Sequence, residues 1–207
     1  MQLIAENLFV ERGSRTIIRD LSLVVASGEA IILSGANGAG KTTLLRSLAG
    51  FLRPVAGSVR IDGGDSEKTV AEQAHVVGHA NAVKASLTVR ENVEFWAHYL
   101  GAVAHVETRV DRALGHFGLS DLATFPAAYL SAGQKRRVGL ARLLAAERPV
   151  WLLDEPTVSL DTDSTALLAK AIDTHIDSGG LAVVASHIPL GLTRSREISL
   201  GHRGGIA

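Results

Sequence analysis

The chain has 207 residues, of which 46% are hydrophobic and 20% are charged, so it can form one globular domain, or one domain with a small inserted subdomain. Lysine plus arginine (21) equals aspartate plus glutamate (21), and this zero net charge disfavours a nucleic-acid partner, because proteins that bind phosphate backbones usually carry a positive excess. The absence of cysteine excludes disulfide scaffolds, thiolate metal centres and thiol nucleophiles.

Neither a membrane span nor a secretion signal is predicted. No stretch of the sequence approaches the ~18 uncharged apolar residues that a spanning helix needs. Glu6, Glu11 and Arg12 interrupt the region in which a signal peptide would carry its apolar core. The sequence therefore predicts a chain that stays in the cytoplasm.

The N-terminal part of the sequence favours short strands separated by turns. The uninterrupted apolar run Ala30–Leu33 is typical of a parallel strand that is buried on both faces. A glycine-rich segment follows it, and a helix is predicted from Lys41 to about Gly50. The other strands predicted here are Leu3–Val10, Thr16–Val25, Ser58–Ile61 and His75–Gly78.

Residues 87–147 are predicted to be mainly helical. Two capping boxes open helices in this region, one formed by Thr88 with Glu91 and the other by Ser131 with Gln134. The order of elements predicts an α/β core that carries a helical insertion. The predicted elements are helices Thr88–Tyr99, Ala104–Phe117 and Ser131–Ala146, strand Val150–Leu153, helix Thr162–Ile176, and strands Leu181–Ala185 and Ile198–Leu200.

A phosphate-loop pattern, which is a glycine, four residues and Gly-Lys-Ser/Thr, occurs at Gly35-Ala36-Asn37-Gly38-Ala39-Gly40-Lys41-Thr42. Its glycines let the backbone approach a phosphate closely, and the following helix directs its positive dipole end at the same anion. Lys41 is expected to reach the β- and γ-phosphates, and the Thr42 hydroxyl to bind Mg²⁺. The alternative is a glycine turn with an incidental Lys-Thr pair, which the preceding strand and following helix disfavour.

Two adjacent carboxylates follow the buried strand at 150–153. Asp154 is expected to hold Mg²⁺, directly or through water, and Glu155 to polarise the water that attacks the γ-phosphorus. Taken alone, two acids at this position are more often a solvated strand end. A phosphate loop in the same chain favours the catalytic interpretation.

Three further motifs resemble those of ATP-binding-cassette (ABC) ATPases. Leu130-Ser131-Ala132-Gly133-Gln134, with Lys135-Arg136-Arg137-Val138 after it, is similar to the signature motif and lies about twenty residues before the Asp-Glu pair, where that family places it. Ser159-Leu160-Asp161 resembles the D-loop, and Ser186-His187 resembles the switch histidine. The resemblance covers residues 1 to about 200. It implies a P-loop NTPase core of the ABC type, with an N-terminal antiparallel β subdomain and a helical subdomain at about 87–147, in one nucleotide-binding domain over residues 1–207.

The resemblance also implies how the sites work. ATP binding is expected to form a head-to-tail homodimer, with ATP between the phosphate loop of one protomer and the signature helix of the other. His187 would contact the γ-phosphate and act with Glu155 and Lys41 in catalysis. The blander alternative is that Ser131 only caps a helix and that residues 135–137 are solvated. The implied nucleotide-binding set is Arg12, Gly35, Ala36, Asn37, Gly38, Ala39, Gly40, Lys41, Thr42, Thr43, Ser131, Gly133, Gln134 and Asp161.

The sequence departs from the family pattern at two important positions. Arg12 occupies the place where the family carries an adenine-stacking aromatic, although its flat guanidinium could stack on a base. The position of the family's conserved glutamine falls on His79, Ala80 or Asn81, which puts the sensing role of that loop in doubt. His75 and His79 suggest a metal or haem site by their spacing, but their place on a strand and its exit favours an ordinary structural role.

Details of the motifs resemble the ATP-binding subunit of the haem-exporting ABC complex of cytochrome c maturation. They are Glu11-Arg12, Gly78-His79, the Ala132 form of the signature motif, and Ser186-His187-Ile188-Pro189-Leu190. The resemblance implies a peripheral protein on the cytoplasmic face of the inner membrane, integral membrane subunits as partners, and ATP hydrolysis that serves haem release or export. This subunit is not expected to bind haem itself.

Two alternative functions remain: the ATP-binding subunit of a transporter for another small solute, and a soluble ABC ATPase without a transport role. The chain lacks the tandem cassettes, coiled coils and basic extensions that usually mark the second class. Phe95, Trp96 and Tyr99, on one predicted helix, would either form an apolar groove for a membrane subunit or belong to the core.

Overall fold

The computed structural model describes residues 1–201, so the predicted domain's residues 202–207 lie outside the described part. The described chain divides into two compact units. The first comprises Met1–Val76, Pro149–Pro156 and the residues from Ile172 onward, and the second comprises Val77–Arg148 and Thr157–Ala171. The range 87–147, where a helical subdomain is expected, falls within the second unit. That the whole chain is a single nucleotide-binding domain stays a prediction.

The elements follow the predicted order. Those of the N-terminal part are β1 (Gln2–Arg12), β2 (Arg15–Ala26), β3 (Ala30–Ser34), α1 (Lys41–Leu48), β4 (Ala56–Asp62), α2 (Val70–Gln73) and β5 (Ala74–Val77). They are followed by α3 (Val89–Tyr99), α4 (Val106–His116), 3₁₀ turns at Ser120–Leu122 and Ala127–Tyr129, α5 (Ala132–Ala145), β6 (Val150–Asp154), α6 (Thr162–Asp177), β7 (Leu181–Ala185) and β8 (Ser195–Ser199).

An antiparallel sheet with the strand order β2-β1-β4 forms one layer of the first unit. In β2 every second residue is buried, namely Leu21, Leu23 and Val25, and the residues between them are exposed. This period of two is typical of a sheet with one solvent-exposed face. The antiparallel N-terminal sheet that the family resemblance implied is therefore present.

A parallel sheet with the order β5-β6-β7-β3-β8 lies in the same unit. Every residue of β6 and β7 is buried, as expected of parallel strands covered on both faces. The register pairs Asp154 with Ala185, Ala185 with Leu33 and Leu33 with Ile198. Because these residues form one row at the carboxyl ends of the strands, the segments that follow β3, β6 and β7 begin side by side, at the edge where open parallel sheets bind ligands.

Three packed helices, α3, α4 and α5, form the core of the second unit. The capping boxes predicted at Thr88 and Ser131 are confirmed, since each side chain accepts a hydrogen bond from the backbone three residues on. Helix α4 begins at Val106, later than predicted, because the preceding His105 has a left-handed backbone (φ 54°) that cannot continue a helix. The fully buried side chains here include Val89, Val93, Val110, Leu114, Phe117 and Leu140.

Two elements differ from the sequence prediction. Helix α2 was not expected; it has four residues and is opened by a capping box of Thr69 and Glu72. Strand β8 begins at Ser195, earlier than the predicted Ile198. Its first three residues, Ser195–Glu197, are polar and exposed, so a search for apolar runs does not detect them. Within residues 1–201, we find no helix with the length and apolar character needed to cross a bilayer.

Candidate functional site

The segment between β3 and α1 forms a glycine-rich loop whose shape depends on three glycines. Gly35, Gly38 and Gly40 have φ values of 130°, 84° and 107°, which residues with a Cβ rarely adopt. A Cβ at Gly35 would lie 2.6 Å from the Leu200 carbonyl oxygen, so there the glycine is also required by close packing. Gly40 precedes α1 without a side-chain cap, which leaves the first backbone amides of the helix available to an anion.

Lys41 is buried and folds back over this loop. Its Nζ donates to the carbonyl oxygen of Gly35 at 2.8 Å and lies 3.4 Å from that of Ala36. The same nitrogen is 3.2 Å from Nε2 of His187, which follows β7. The ammonium group is therefore fixed above the loop that the sequence predicts to hold phosphate.

Thr42 and Asp154 are brought together from α1 and the end of β6. The Thr42 hydroxyl donates to Asp154 Oδ1 at 3.1 Å, and the carboxylate is buried. Hydroxyl and carboxylate oxygens are the ligands that Mg²⁺ prefers, and Mg²⁺ usually completes its shell with water and substrate phosphates. Residues 1–201 contain no cluster of three or more His, Cys, Asp or Glu side chains arranged for a metal. The pair thus fits a metal ion shared with a phosphate ligand.

Glu155 directly follows the buried strand and points its carboxylate at the switch-histidine candidate. Its Oε1 lies 3.2 Å from His187 Nε2, and its backbone N–H donates to the Ala185 carbonyl oxygen at 2.9 Å. Glu155 has a left-handed backbone (φ 47°), which turns the chain sharply at the end of β6. The structure thus places both the Lys41 ammonium and the Glu155 carboxylate 3.2 Å from the same atom, Nε2 of His187.

Arg12 ends β1 and is exposed opposite Arg15 across the first hairpin. Phe9, the aromatic residue three positions earlier, is engaged instead, with the Arg19 guanidinium 6.0 Å from its ring centre. This arrangement does not test whether Arg12 contacts a base, so the stacking role of Arg12 stays a prediction.

The signature segment lies in the second unit. Ser131 and Gln134 form a reciprocal capping box, with backbone-to-side-chain distances of 3.2 and 2.8 Å. Gly133 is half-buried, and a Cβ there would lie 2.8 Å from the Ser159 carbonyl oxygen. Asp161 accepts the Ser164 backbone N–H at 2.8 Å; hydrogen bonds from Ser164 lower the pKa of this exposed carboxyl.

The basic run after the signature motif is not a uniformly solvated face, so the expectation of solvation is wrong for Arg136, while a role of Ser131 beyond capping stays a prediction. Arg136 is only 2% exposed, and Lys135 and Arg137 donate to the backbone carbonyls of Ala128 and Phe117. Sequence reasoning missed the burial of Arg136, and nothing in a Lys-Arg-Arg run would have shown it.

The histidines and aromatics that the sequence analysis left open are now placed. His75 is buried and makes a T-shaped contact with Trp151 at a centroid distance of 6.2 Å, whereas His79 is exposed. Phe95 and Tyr99 are 55% and 70% exposed, so these two aromatics do not belong to the core.

Comparison with known proteins identifies the family. The ABC transporter family model matches residues 18–158. The chain is 49% identical to the "cytochrome c biogenesis ATP-binding export protein CcmA" of Rhodopseudomonas palustris (strain HaA2), over 97% of this chain and 98% of the relative. It is 44% identical to the protein of that name from Agrobacterium fabrum (strain C58), over 100% of this chain and 98% of the relative.

Solved structures agree with this result. An ATP-binding subunit of an ABC transporter superposes with a TM-score of 0.88 at 25% identity, covering 100% of this chain and 88% of the other. A dimeric ATP-binding cassette in a post-hydrolysis state, bound to ADP and Pi, gives a TM-score of 0.83 at 25% identity, covering 99% and 96%. The predicted ABC ATPase fold is confirmed. The chain belongs to the ABC transporter family and, within it, to the cytochrome c biogenesis ATP-binding export proteins.

Proposed function

We propose that this chain is the ATP-hydrolysing subunit of an ABC membrane complex that energises haem handling and export in cytochrome c maturation. The observation that carries the proposal is the approach of Lys41 and Glu155 to within 3.2 Å of His187 Nε2, beside the Thr42–Asp154 pair. Near-full-length similarity to cytochrome c biogenesis ATP-binding export proteins supports the haem-related role.

ATP binding uses the glycine loop and Lys41. The β- and γ-phosphates lie against the backbone amides of residues 35–40 and the first turn of α1, with Thr42 and Thr43 at its start. Lys41 exchanges its contacts with loop carbonyl oxygens for bonds to phosphate oxygens, which are stronger because both partners then carry charge. Thr42 and Asp154 hold Mg²⁺, which would neutralise part of the phosphate charge when bound.

Hydrolysis depends on a carboxylate and an imidazole at the ends of β6 and β7. Glu155 accepts a hydrogen bond from the attacking water and polarises it. His187 contacts the γ-phosphate and holds the Glu155 carboxylate in line with the water. Such positioned acid–base groups commonly contribute about 10²–10⁴ in rate.

A second copy of the chain completes the nucleotide site. We place the first turn of α5, with Ser131, Gly133 and Gln134, on the γ-phosphate bound by the partner protomer, and Asp161 at the interface. The dimeric form of one similar solved cassette supports a homodimer on ATP binding. In this proposal residues 1–207 form a single nucleotide-binding domain.

The membrane partners of this subunit are integral proteins of the same complex, and the chain works on the cytoplasmic face of the inner membrane. The exposed aromatic rings of Phe95 and Tyr99, which stack 6.0 Å apart on α3, provide an apolar surface for such a partner. In this proposal haem does not bind this chain directly. The zero net charge argues against a nucleic-acid partner.

The test compares the wild-type chain with Glu155→Gln and Lys41→Met. The wild-type chain should hydrolyse MgATP, Glu155→Gln should bind ATP and accumulate as a dimer on size-exclusion chromatography with light scattering, and Lys41→Met should bind no nucleotide. Normal turnover by Glu155→Gln would contradict the assignment of the water-positioning group.

The substrate is tested separately, on the complex extracted from native membranes in detergent. Mass spectrometry should identify integral membrane subunits, and an absorbance scan should show haem. Membrane subunits with no haem would favour a transporter for another solute, and the absence of membrane subunits would favour a soluble ABC ATPase.

A further inference from the structure

The loop at residues 78–82 occupies the place where the family resemblance puts a glutamine. It lies in the second unit and connects β5 toward α3. Ala82 has a left-handed backbone (φ 53°), which is unfavourable for a residue with a Cβ and therefore requires support from its surroundings. That support comes from α5 and α3.

Arg136 of α5 holds the loop at two points. Its Nη1 donates to the Gly78 carbonyl oxygen at 2.9 Å and to Asn81 Oδ1 at 3.1 Å. The side chain is almost fully buried, and a buried guanidinium is costly unless its donors are satisfied. Because guanidinium donors have fixed directions, these two bonds define where both ends of the 78–81 segment lie relative to α5.

Close packing adds to these hydrogen bonds. A Cβ at Gly139, one helical turn after Arg136, would lie 2.7 Å from the Asn81 carbonyl oxygen, so the loop backbone rests directly on α5. On the other side, Trp96 Nε1 of α3 donates to the Ala82 carbonyl oxygen at 2.9 Å.

Trp96 also contacts α5. The Arg142 guanidinium lies 4.6 Å from the centre of the Trp96 ring. Burial lowers the pKa of Arg142 to about 10, so the group stays charged at neutral pH and this cation–π contact persists. The 78–82 loop is therefore held between α5 and α3 by both helices.

We propose that Arg136 is a positioning residue that ties the 78–82 loop to α5, so that a displacement of α5 moves the loop and, through Trp96, the aromatic face of α3. The inference rests on the proposed function, in which the first turn of α5 binds the partner protomer's nucleotide. It adds a route: the signal passes through the Arg136 bonds to Gly78 and Asn81. A loop without the family's glutamine is thereby made responsive to nucleotide.

Hydrogen–deuterium exchange without nucleotide tests the attachment. In Arg136→Met, the amides of residues 79–83 should exchange about tenfold faster than in wild type, the factor expected for loss of a hydrogen bond to a charged group. Amides in α4 should not change. Asn81→Ala should give a smaller increase, and the double variant should match Arg136→Met. Arg109→Met, which removes the ion pair between the half-buried Arg109 and the exposed Glu147 in the same unit, is the matched control and should leave the loop unchanged.

The effect of MgATP on hydrogen–deuterium exchange tests whether the signal passes through Arg136. This experiment uses the Glu155→Gln variant, which is expected to accumulate the ATP-bound dimer. MgATP should slow exchange both in the first turn of α5 and in the 78–82 loop when Arg136 is present. In Arg136→Met, MgATP should slow exchange in α5 but not in the 78–82 loop. A residue that only stabilises the fold would not uncouple the two responses. Wild-type exchange in the Arg136→Met loop, or a retained loop response to MgATP, overturns the proposal.

This design distinguishes failure of the Arg136 proposal from failure of the proposed function. If Arg136→Met does not fold, Asn81→Ala carries the test, and wild-type loop exchange in that variant overturns the proposal. If MgATP protects nothing in the Glu155→Gln chain, the proposed function fails, while the nucleotide-free comparison still decides whether Arg136 fastens the loop.

Discussion

Lys41 Nζ lies 3.2 Å from His187 Nε2, although 146 positions separate the two residues in the chain. The same Nε2 lies 3.2 Å from Glu155 Oε1. Because an ammonium group can only donate and a carboxylate can only accept, this one ring nitrogen cannot hydrogen-bond to both at the same time. In the proposed function, a phosphate that draws Lys41 away would leave Nε2 to donate to the Glu155 carboxylate.

The first prediction concerns this histidine. His187→Ala should lower kcat for ATP hydrolysis by about 100-fold, because a positioned acid–base group contributes about 10²–10⁴ in rate, with a smaller effect on ATP affinity. Steady-state kinetics and equilibrium ATP binding measure the two effects. His98→Ala, which removes an exposed histidine of α3, serves as the control. A kcat within a factor of about two of wild type would show that His187 is not part of the catalytic group.

The second prediction concerns Mg²⁺. Thr42→Val keeps the shape of the side chain but removes the hydroxyl that meets Asp154, so the Mg²⁺ concentration for half-maximal ATPase activity should rise about tenfold. ATP binding measured in EDTA should not change, which makes it the internal control. If the Mg²⁺ dependence is that of wild type, the hydroxyl is not a metal ligand.

The third prediction concerns base recognition at Arg12. Arg12→Ala should weaken ATP binding about two- to fivefold, the range expected for loss of a stacked guanidinium, and leave pyrophosphate binding unchanged. Arg15→Ala is a close control because Arg15 pairs with Arg12 across the hairpin and is also exposed. Titration calorimetry with ATP and pyrophosphate measures both. If Arg12→Ala weakened ATP and pyrophosphate binding equally, Arg12 would not act on the base.

The fourth prediction concerns stability in acid. His175 stacks on Trp151 at a centroid distance of 4.0 Å, and desolvation lowers its pKa to about 4. The ordinary value of about 6.5 applies to the unfolded chain, so unfolding takes up a proton and stability falls as the pH drops from about 6.5 to about 4. Between pH 7.5 and 5, this group should account for about 2 kcal/mol of lost stability.

His175→Phe keeps an aromatic ring on Trp151 and does not titrate. Urea unfolding at the two pH values should therefore show a smaller loss of stability in this variant, by about 2 kcal/mol, than in the wild-type chain. The comparison uses the change with pH, because the substitution also removes the 3.3 Å contact with the Leu181 carbonyl oxygen. An unchanged pH dependence would mean that His175 does not titrate on unfolding.

Local patterns predicted much of this structure. The capping boxes at Thr88 and Ser131 involve residues three positions apart, so sequence alone reveals them. The similar box at Thr69 was missed because the helix it opens has only four residues and shows no apolar period. The continuous burial of β6 and β7 likewise followed from their apolar runs.

Contacts between distant segments could not be read from local patterns. The placement of β3 between β7 and β8 depends on tertiary packing, and the proximity of Lys41 to His187 was expected only from the family resemblance. The burial of Arg136 was missed because its partners, Gly78 and Asn81, lie more than fifty positions away. Charge in a basic run normally indicates solvent exposure, and here tertiary hydrogen bonds prevail.

Leu200 lies against the start of the phosphate loop, although it follows Gly35 by 165 positions. Its N–H donates to the Ser34 carbonyl oxygen at 2.9 Å, and its own carbonyl oxygen would lie 2.6 Å from a Cβ at Gly35. Because that contact is with backbone, no side-chain rotation can make room for a larger residue at position 35. A substitution that shifts the end of β8 should therefore also alter the loop that is proposed to bind ATP.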